Sequence, residues 1–193
     1  MLTRGDPPGP SVGQMQSRRR RALYRLSVFG AIAIGGFTLA ACPAPLATTP
    51  LKPGAVLTSV NSTRATVRLT LIGAYSSNDA GFNFDGYGGG RLTVRIPAGW
   101  TVDVYCKNDS TALTHSCAVV NLPISPTGGS LAFRGAQTAN PVNGVQCGAS
   151  ETFSFVASKI GRYRIACLVI GHEADGMWDW LVVTPGGSPS VSV

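Results

Sequence analysis

The 193-residue sequence predicts an all-β domain, a β-sandwich of seven to eight short strands. Three observations point there. Apolar and polar residues alternate with a period of two along most of the chain between residues 55 and 184. Turn-forming clusters interrupt these runs at short intervals. No stretch combines a helical period with capping residues, apart from short pieces that fit between Gln137 and Gln146.

Taken in order, Val67, Leu69 and Leu71 alternate with Thr66, Arg68 and Thr70. The cluster Gly86-Tyr87-Gly88-Gly89-Gly90 lacks the Gly-Lys-Ser/Thr ending of a phosphate loop and reads as a flexible hairpin connection. Leu92, Val94 and Ile96 alternate with Arg91, Thr93 and Arg95, and Pro97-Ala98-Gly99 turns the chain. Val102, Val104 and Cys106 follow, up to the turn signal Lys107-Asn108-Asp109. Pro123 to Gly129 forms the next break. Phe153, Phe155 and Ala157 share one face, Lys159-Ile160-Gly161 turns, and Tyr163, Ile165 and Cys167 share the next. A domain of about 130 residues built this way is large enough to bury a real core.

Charge sets the N-terminus apart. The chain carries 16 basic and 9 acidic residues, a formal net charge of +7. Six of the basic residues (Arg4, Arg18, Arg19, Arg20, Arg21 and Arg25) and one acidic residue, Asp6, fall within residues 1–41. The remaining 10 basic and 8 acidic residues leave a net of only +2, which gives nucleic-acid binding no support. The basic stretch Ser17–Arg25 is followed by the apolar run Leu26–Ala41, shorter than the roughly 20 residues of a spanning helix. That order reads as a secretory signal over 1–41. Residues 1–14 lack signal character, and Met15 makes a more ordinary start. The signal ends in Leu39-Ala40-Ala41-Cys42, which resembles the bacterial lipobox and implies that Cys42 is the lipidated first residue of the mature chain. Residues 42–54 hold Pro43, Pro45, Pro50 and Pro53 and read as a semi-rigid tether. The domain is assigned 55–184, and PGGSPSVSV (185–193) reads as a flexible, frayed tail. The expected localisation is therefore extracytoplasmic, on a membrane through the lipid anchor.

The chemistry concentrates near the C-terminus. Cys167, His172 and Met177 stand in a C-x4-H-x4-M pattern, with Cys167 closing a strand and the other two on the loop that follows. The only other histidine, His115, opens a strand further upstream. A cysteine on a buried strand is more often a small hydrophobe, and a loop histidine is more often solvated. Here they accompany a second histidine and a methionine in an exported β-sandwich. One thiolate, two imidazoles and one thioether fit a trigonal Cys-His-His site with a weak axial Met, the donor set of blue copper. The soft thiolate favours Cu(I), neutral imidazoles suit both oxidation states, and four protein ligands leave no open position for a substrate.

Three segments carry a family resemblance. Phe82-Asn83-Phe84-Asp85-Gly86-Tyr87 resembles the sulfocyanin FNFNG segment, with Asp85 in place of its second Asn. Phe155, Ala157, Gly161, Tyr163 and Cys167 are spaced as in the strand leading to the cysteine ligand. Gly171-His172-Glu-Ala-Asp-Gly176-Met177-Trp178 resembles the copper loop with its GMW ending. The chain thus resembles the sulfocyanins within the cupredoxin superfamily. That resemblance implies a Greek-key cupredoxin-like sandwich, one type 1 copper ion held by His115, Cys167, His172 and Met177, and electron transfer rather than enzymatic turnover. Electrons are expected to pass by the exposed edge of His172, to and from a redox partner protein such as a respiratory complex, an oxidase or another carrier. Many cupredoxins carry Asn after the first histidine ligand. Ser116 stands there instead, as in rusticyanin, and implies altered hydrogen bonding at the cysteine sulfur and a high potential.

Of the remaining cysteines, Cys106 and Cys117 both point inward by alternation and are the first choice for a disulfide, with Cys117–Cys147 as the alternative. Both histidines are used by one site, so a second, His-rich copper centre of the oxidase or reductase type is excluded. Glu173, Asp175 and Asp179 read as solvated surface charges, or as part of a docking face. Two other functions remain to be weighed. A copper-delivering or copper-buffering lipoprotein would present a Met-rich surface, yet two of the three Met, Met1 and Met15, lie in the leader. The other is a metal-free sandwich used for adhesion or envelope interaction, which copper loading separates from the blue copper reading.

Overall fold

The computed structural model describes residues 49–122 and 129–193. Residues 1–48, and with them the signal, Cys42 and the start of the tether, lie outside the described residues. Among the described residues nine strands form a two-sheet Greek-key sandwich. Strands β1 (Leu57–Asn61), β2 (Thr66–Gly73), β4 (Thr101–Asn108) and β6 (Ser150–Val156) form one sheet in the order β1-β2-β4-β6. The second sheet follows the order β5-β7-β8-β3-β9, from β3 (Thr93–Pro97), β5 (Ala118–Val120), β7 (Gly161–Ala166), β8 (Trp178–Thr184) and β9 (Ser190–Ser192).

The alternation in the sequence becomes the inner face of each sheet. Val67, Leu69 and Leu71 of β2, and Val102, Val104 and Cys106 of β4, are buried. Opposite them lie Val94 and Ile96 of β3, Tyr163 and Ile165 of β7, and Leu181 and Val183 of β8. Each such aliphatic side chain contributes about 1.5–3 kcal/mol on leaving water. β2 runs parallel to β4, and β3 parallel to β8. Parallel neighbours require crossovers from sheet to sheet, and these crossovers bring the loops after β2 and β7 to the same end of the sandwich.

Two boundaries differ from the sequence expectation. The 185–193 tail is not frayed throughout: Ser190–Ser192 pair antiparallel with β3, Val94 opposite Val191. Serine and glycine hide a strand from propensity, and only an available edge on β3 reveals it. At the other end, the expected tether is already docked by Leu51. Its N–H donates to the Asp85 carbonyl at 2.8 Å, and its own carbonyl accepts the Tyr87 hydroxyl at 2.7 Å.

Cys106 and Cys117 form a disulfide, 11 residues apart in sequence with Cα atoms 6.0 Å apart. It joins β4 to the segment leading into β5, across the sandwich. Replacing both with alanine is expected to cost about 3 kcal/mol, read as a lower midpoint in thermal unfolding. An unchanged midpoint would show that packing alone holds the segment.

Candidate metal centre

Four side chains converge at the end of the sandwich where β7 gives way to β8. Cys167 directly follows β7 and is fully buried. The loop to β8 folds back on itself through the hydrogen bonds Cys167 N–H to Met177 O (3.1 Å) and Met177 N–H to His172 O (2.9 Å). Gly171 and Gly176 take the left-handed φ of +91° and +95° that this tight return requires. His115 comes from another part of the fold, paired through a β-bridge with Val145.

The ligand atoms of His115, Cys167 and His172 lie within 4.8 Å of one another. Cys167 Sγ is 3.4 Å from His172 Nδ1, and the two imidazole centroids are 5.0 Å apart. Met177 is fully buried beside them: a Cβ built on Gly73 would stand 3.2 Å from the Met177 Cε and 3.0 Å from the His115 Cβ. The last residue of β2 must therefore be small. Both ring nitrogens of His115, 2% exposed, lack a hydrogen-bond partner. Two orphaned imidazole nitrogens beside a thiol and a second imidazole form a donor set without an acceptor, the condition a metal ion satisfies.

Electrostatics favour neutral imidazoles. Burial, and then the neighbouring His172, lower the His115 pKa from 6.5 to about 4. The ring is therefore free of a competing proton above that pH. Burial also lowers His172, with Asp175 acting in the opposite direction. Burial pushes the Cys167 thiol above its ordinary value, while donation from the Ser116 and Val169 N–H groups lowers it. Ser116 is fully placed for that: its N–H donates to Cys167 Sγ at 3.2 Å, its Oγ lies 3.6 Å from the sulfur and accepts from Leu168 N–H at 2.8 Å.

A family model described as the Sulfocyanin (SoxE) domain matches residues 53–191. The chain belongs to the sulfocyanin family. A sulfocyanin of Sulfolobus acidocaldarius is 37% identical over 132 residues, covering 64% of this chain and 66% of that protein. The matched region thus spans just under two thirds of that relative's length. Among solved structures, reduced auracyanin of Roseiflexus castenholzii is 23% identical with a TM-score of 0.44, covering 61% of this chain and 97% of its own. A rusticyanin variant is 21% identical with a TM-score of 0.47, covering 62% and 78%. Sulfocyanin family membership and the donor set agree on the cofactor, one type 1 copper ion.

Four features were not read from the sequence. His172 is only 8% exposed, because the Phe82 ring stands 5.0 Å from it at 69°. The exposed imidazole edge expected from a loop histidine is thus reduced to a sliver. Asp179 is not a solvated charge: it is 1% exposed, and its Oδ1 accepts the Leu92 N–H at 2.9 Å. Glu173 forms an ion pair with Arg164. The Gly86–Gly90 cluster is no loose hairpin, since Gly89 N–H donates to Gly176 O at 2.7 Å and Gly90 N–H to Trp178 O at 2.9 Å.

Proposed function

We propose that this protein is an extracytoplasmic blue copper electron carrier, with His115, Cys167, His172 and Met177 as its ligands. The observation that carries the reading is the convergence of one thiol and two imidazoles within 4.8 Å in a buried pocket. Bound copper supplies a one-electron Cu(II)/Cu(I) couple. The chain supplies the rest. Cys167 offers a soft thiolate, His115 and His172 remain neutral, and Met177 offers a thioether from the same short loop. The internal hydrogen bonds of residues 167–177 hold the loop in one arrangement, so little has to move when the charge changes.

The same surroundings support a high potential. Ser116 N–H donates to the Cys167 sulfur and draws charge from it. Phe82, Val169 and Leu168 surround the site with apolar groups, which favours the less charged Cu(I) state. Export and lipid attachment through Cys42 rest on the basic stretch, the apolar run and the Leu-Ala-Ala-Cys sequence. A redox partner protein on the same side of the membrane completes the reading.

Loading the purified domain with Cu(II) tests it. One equivalent should produce an intense absorption band in the red, the thiolate-to-copper transition of a blue site. A colourless protein indifferent to copper would falsify the reading. Redox titration of the loaded protein then checks the potential, and a value at the low end of blue copper proteins would sink that part.

A further inference from the structure

The segment between β2 and β3 is the most strained in the described structure. Ala74, Asp79, Ala80 and Asp85 all take positive φ, between 52° and 55°. Each costs of order 1 kcal/mol or more, and such conformations persist where surrounding contacts over-determine them. Here those contacts are explicit. The buried Asn83 amide donates to the carbonyls of Ser76 (2.9 Å) and Asn78 (2.7 Å), and its Oδ1 accepts the Gly86 N–H (3.0 Å). Asp85 Oδ1 accepts the Ile72 N–H at 3.1 Å.

What this clamp presents is Phe82. Its ring meets His172 edge-on at 5.0 Å and His115 at 6.5 Å and 85°. Immediately downstream, Gly88 lies so close to the loop of His172 and Met177 that a Cβ there would stand 2.8 Å from Gly176 O and 3.0 Å from Phe82 O. Gly89 and Gly90 then donate to the carbonyls of Gly176 and Trp178, on either side of Met177. One strained segment therefore touches both imidazoles by a ring and the methionine by its backbone flanks.

We propose that residues Phe82–Gly90 form a brace for the metal centre, in which Phe82 is a positioning residue that fixes both imidazoles and shields His172 from water. The proposal rests on the reading of His115, His172 and Met177 as copper ligands. The brace makes the site a composite of the ligand loop and a separate loop that contributes no ligand. Its presence explains why a half-buried phenylalanine precedes a buried asparagine in strained backbone: the asparagine sets the loop and the loop aims the ring.

Three variants test it: Phe82→Ala, Phe82→Tyr and Gly88→Ala. In the copper-loaded protein, Phe82→Ala should bind copper about 10-fold to 100-fold more weakly, the range found when groups supporting a ligand are lost. It should also show an altered electron paramagnetic resonance spectrum and a lower potential, all restored in Phe82→Tyr. In the metal-free protein, diethylpyrocarbonate should modify His172 slowly in the wild type and Phe82→Tyr, and faster in Phe82→Ala. Gly88→Ala should shift the spectrum in the same direction, and it decides the matter if Phe82→Ala does not fold. Wild-type spectra, copper affinity and His172 reactivity in Phe82→Ala would overturn the brace. A wild-type protein that never turns blue would remove the ligand reading, while the metal-free arm still decides whether Phe82 shields His172.

Discussion

Cys167→Ser should abolish the blue band completely while leaving the sandwich folded. The thiolate is the only soft, strongly donating group among the three clustered ligands, and the visible transition of a blue site originates in its sulfur. A serine hydroxyl is a hard donor whose proton is not released near neutral pH. Any copper that remains between His115 and His172 would give only a weak absorption. The variant keeps the Cys106–Cys117 disulfide and the inner faces of both sheets, so circular dichroism should match the wild type. Absorption and copper content measured on one sample decide the outcome. A retained intense band would show that another group supplies the charge-transfer donor and that Cys167 is structural.

The contribution of Asp179 to stability should fall as the pH rises from about 4 to about 7, opposite to that of a salt-bridged carboxylate. Burial raises the Asp179 pKa from 3.8 to about 7, against the lowering influence of the Leu92 N–H. Asp85, buried and with one unpartnered oxygen, is raised as well. In the window between the two Asp179 values the native state holds a proton that the unfolded chain has released. Native-state proton binding in excess makes the stability decrease with pH, so the contribution is fully present below the unfolded value and is lost on passing the folded one. For Asp179 the difference corresponds to about 4 kcal/mol. His115 and His172 act with the opposite sign in metal-free protein, since burial lowers both, His115 from the ordinary 6.5 to about 4. The Asp179 share is therefore read as a difference between wild type and a variant. Denaturant unfolding of wild type and Asp179→Asn at several pH values separates the two. The variant keeps the acceptor for Leu92 and should gain on the wild type steadily across the window. Parallel pH curves for the two proteins would show that Asp179 is ionised when folded.

How far the sequence reveals this molecule depends on the range of the interaction. Val67, Leu69 and Leu71 announce an inner face because a strand's own alternation encodes it. The relation of Cys167, His172 and Met177 is equally local, eleven residues of one strand end and one loop. His115 stands apart in sequence, and only donor chemistry and the family resemblance connect it with them there. Asp179 was misread because an aspartate two residues after a loop methionine looks like surface. Its burial comes from the β3 side, where Leu92 N–H needs an acceptor. Gly88 was misread for a related reason. Its smallness serves no turn of its own but the approach of Gly176, a neighbour far along the chain. β9 was missed because its serines carry no strand signal until β3 offers an edge.

That last pairing has a consequence for how this protein behaves in a crowd. Without β9, the outer strand of the five-stranded sheet would be β3, whose free backbone groups would face any passing chain. Exposed strand edges recruit one another and start aggregation. β9 occupies that edge with a short piece, Ser-Val-Ser, whose serines offer a newcomer little to bury. This short strand is thus a selvedge: it finishes the fabric of the sheet along β3.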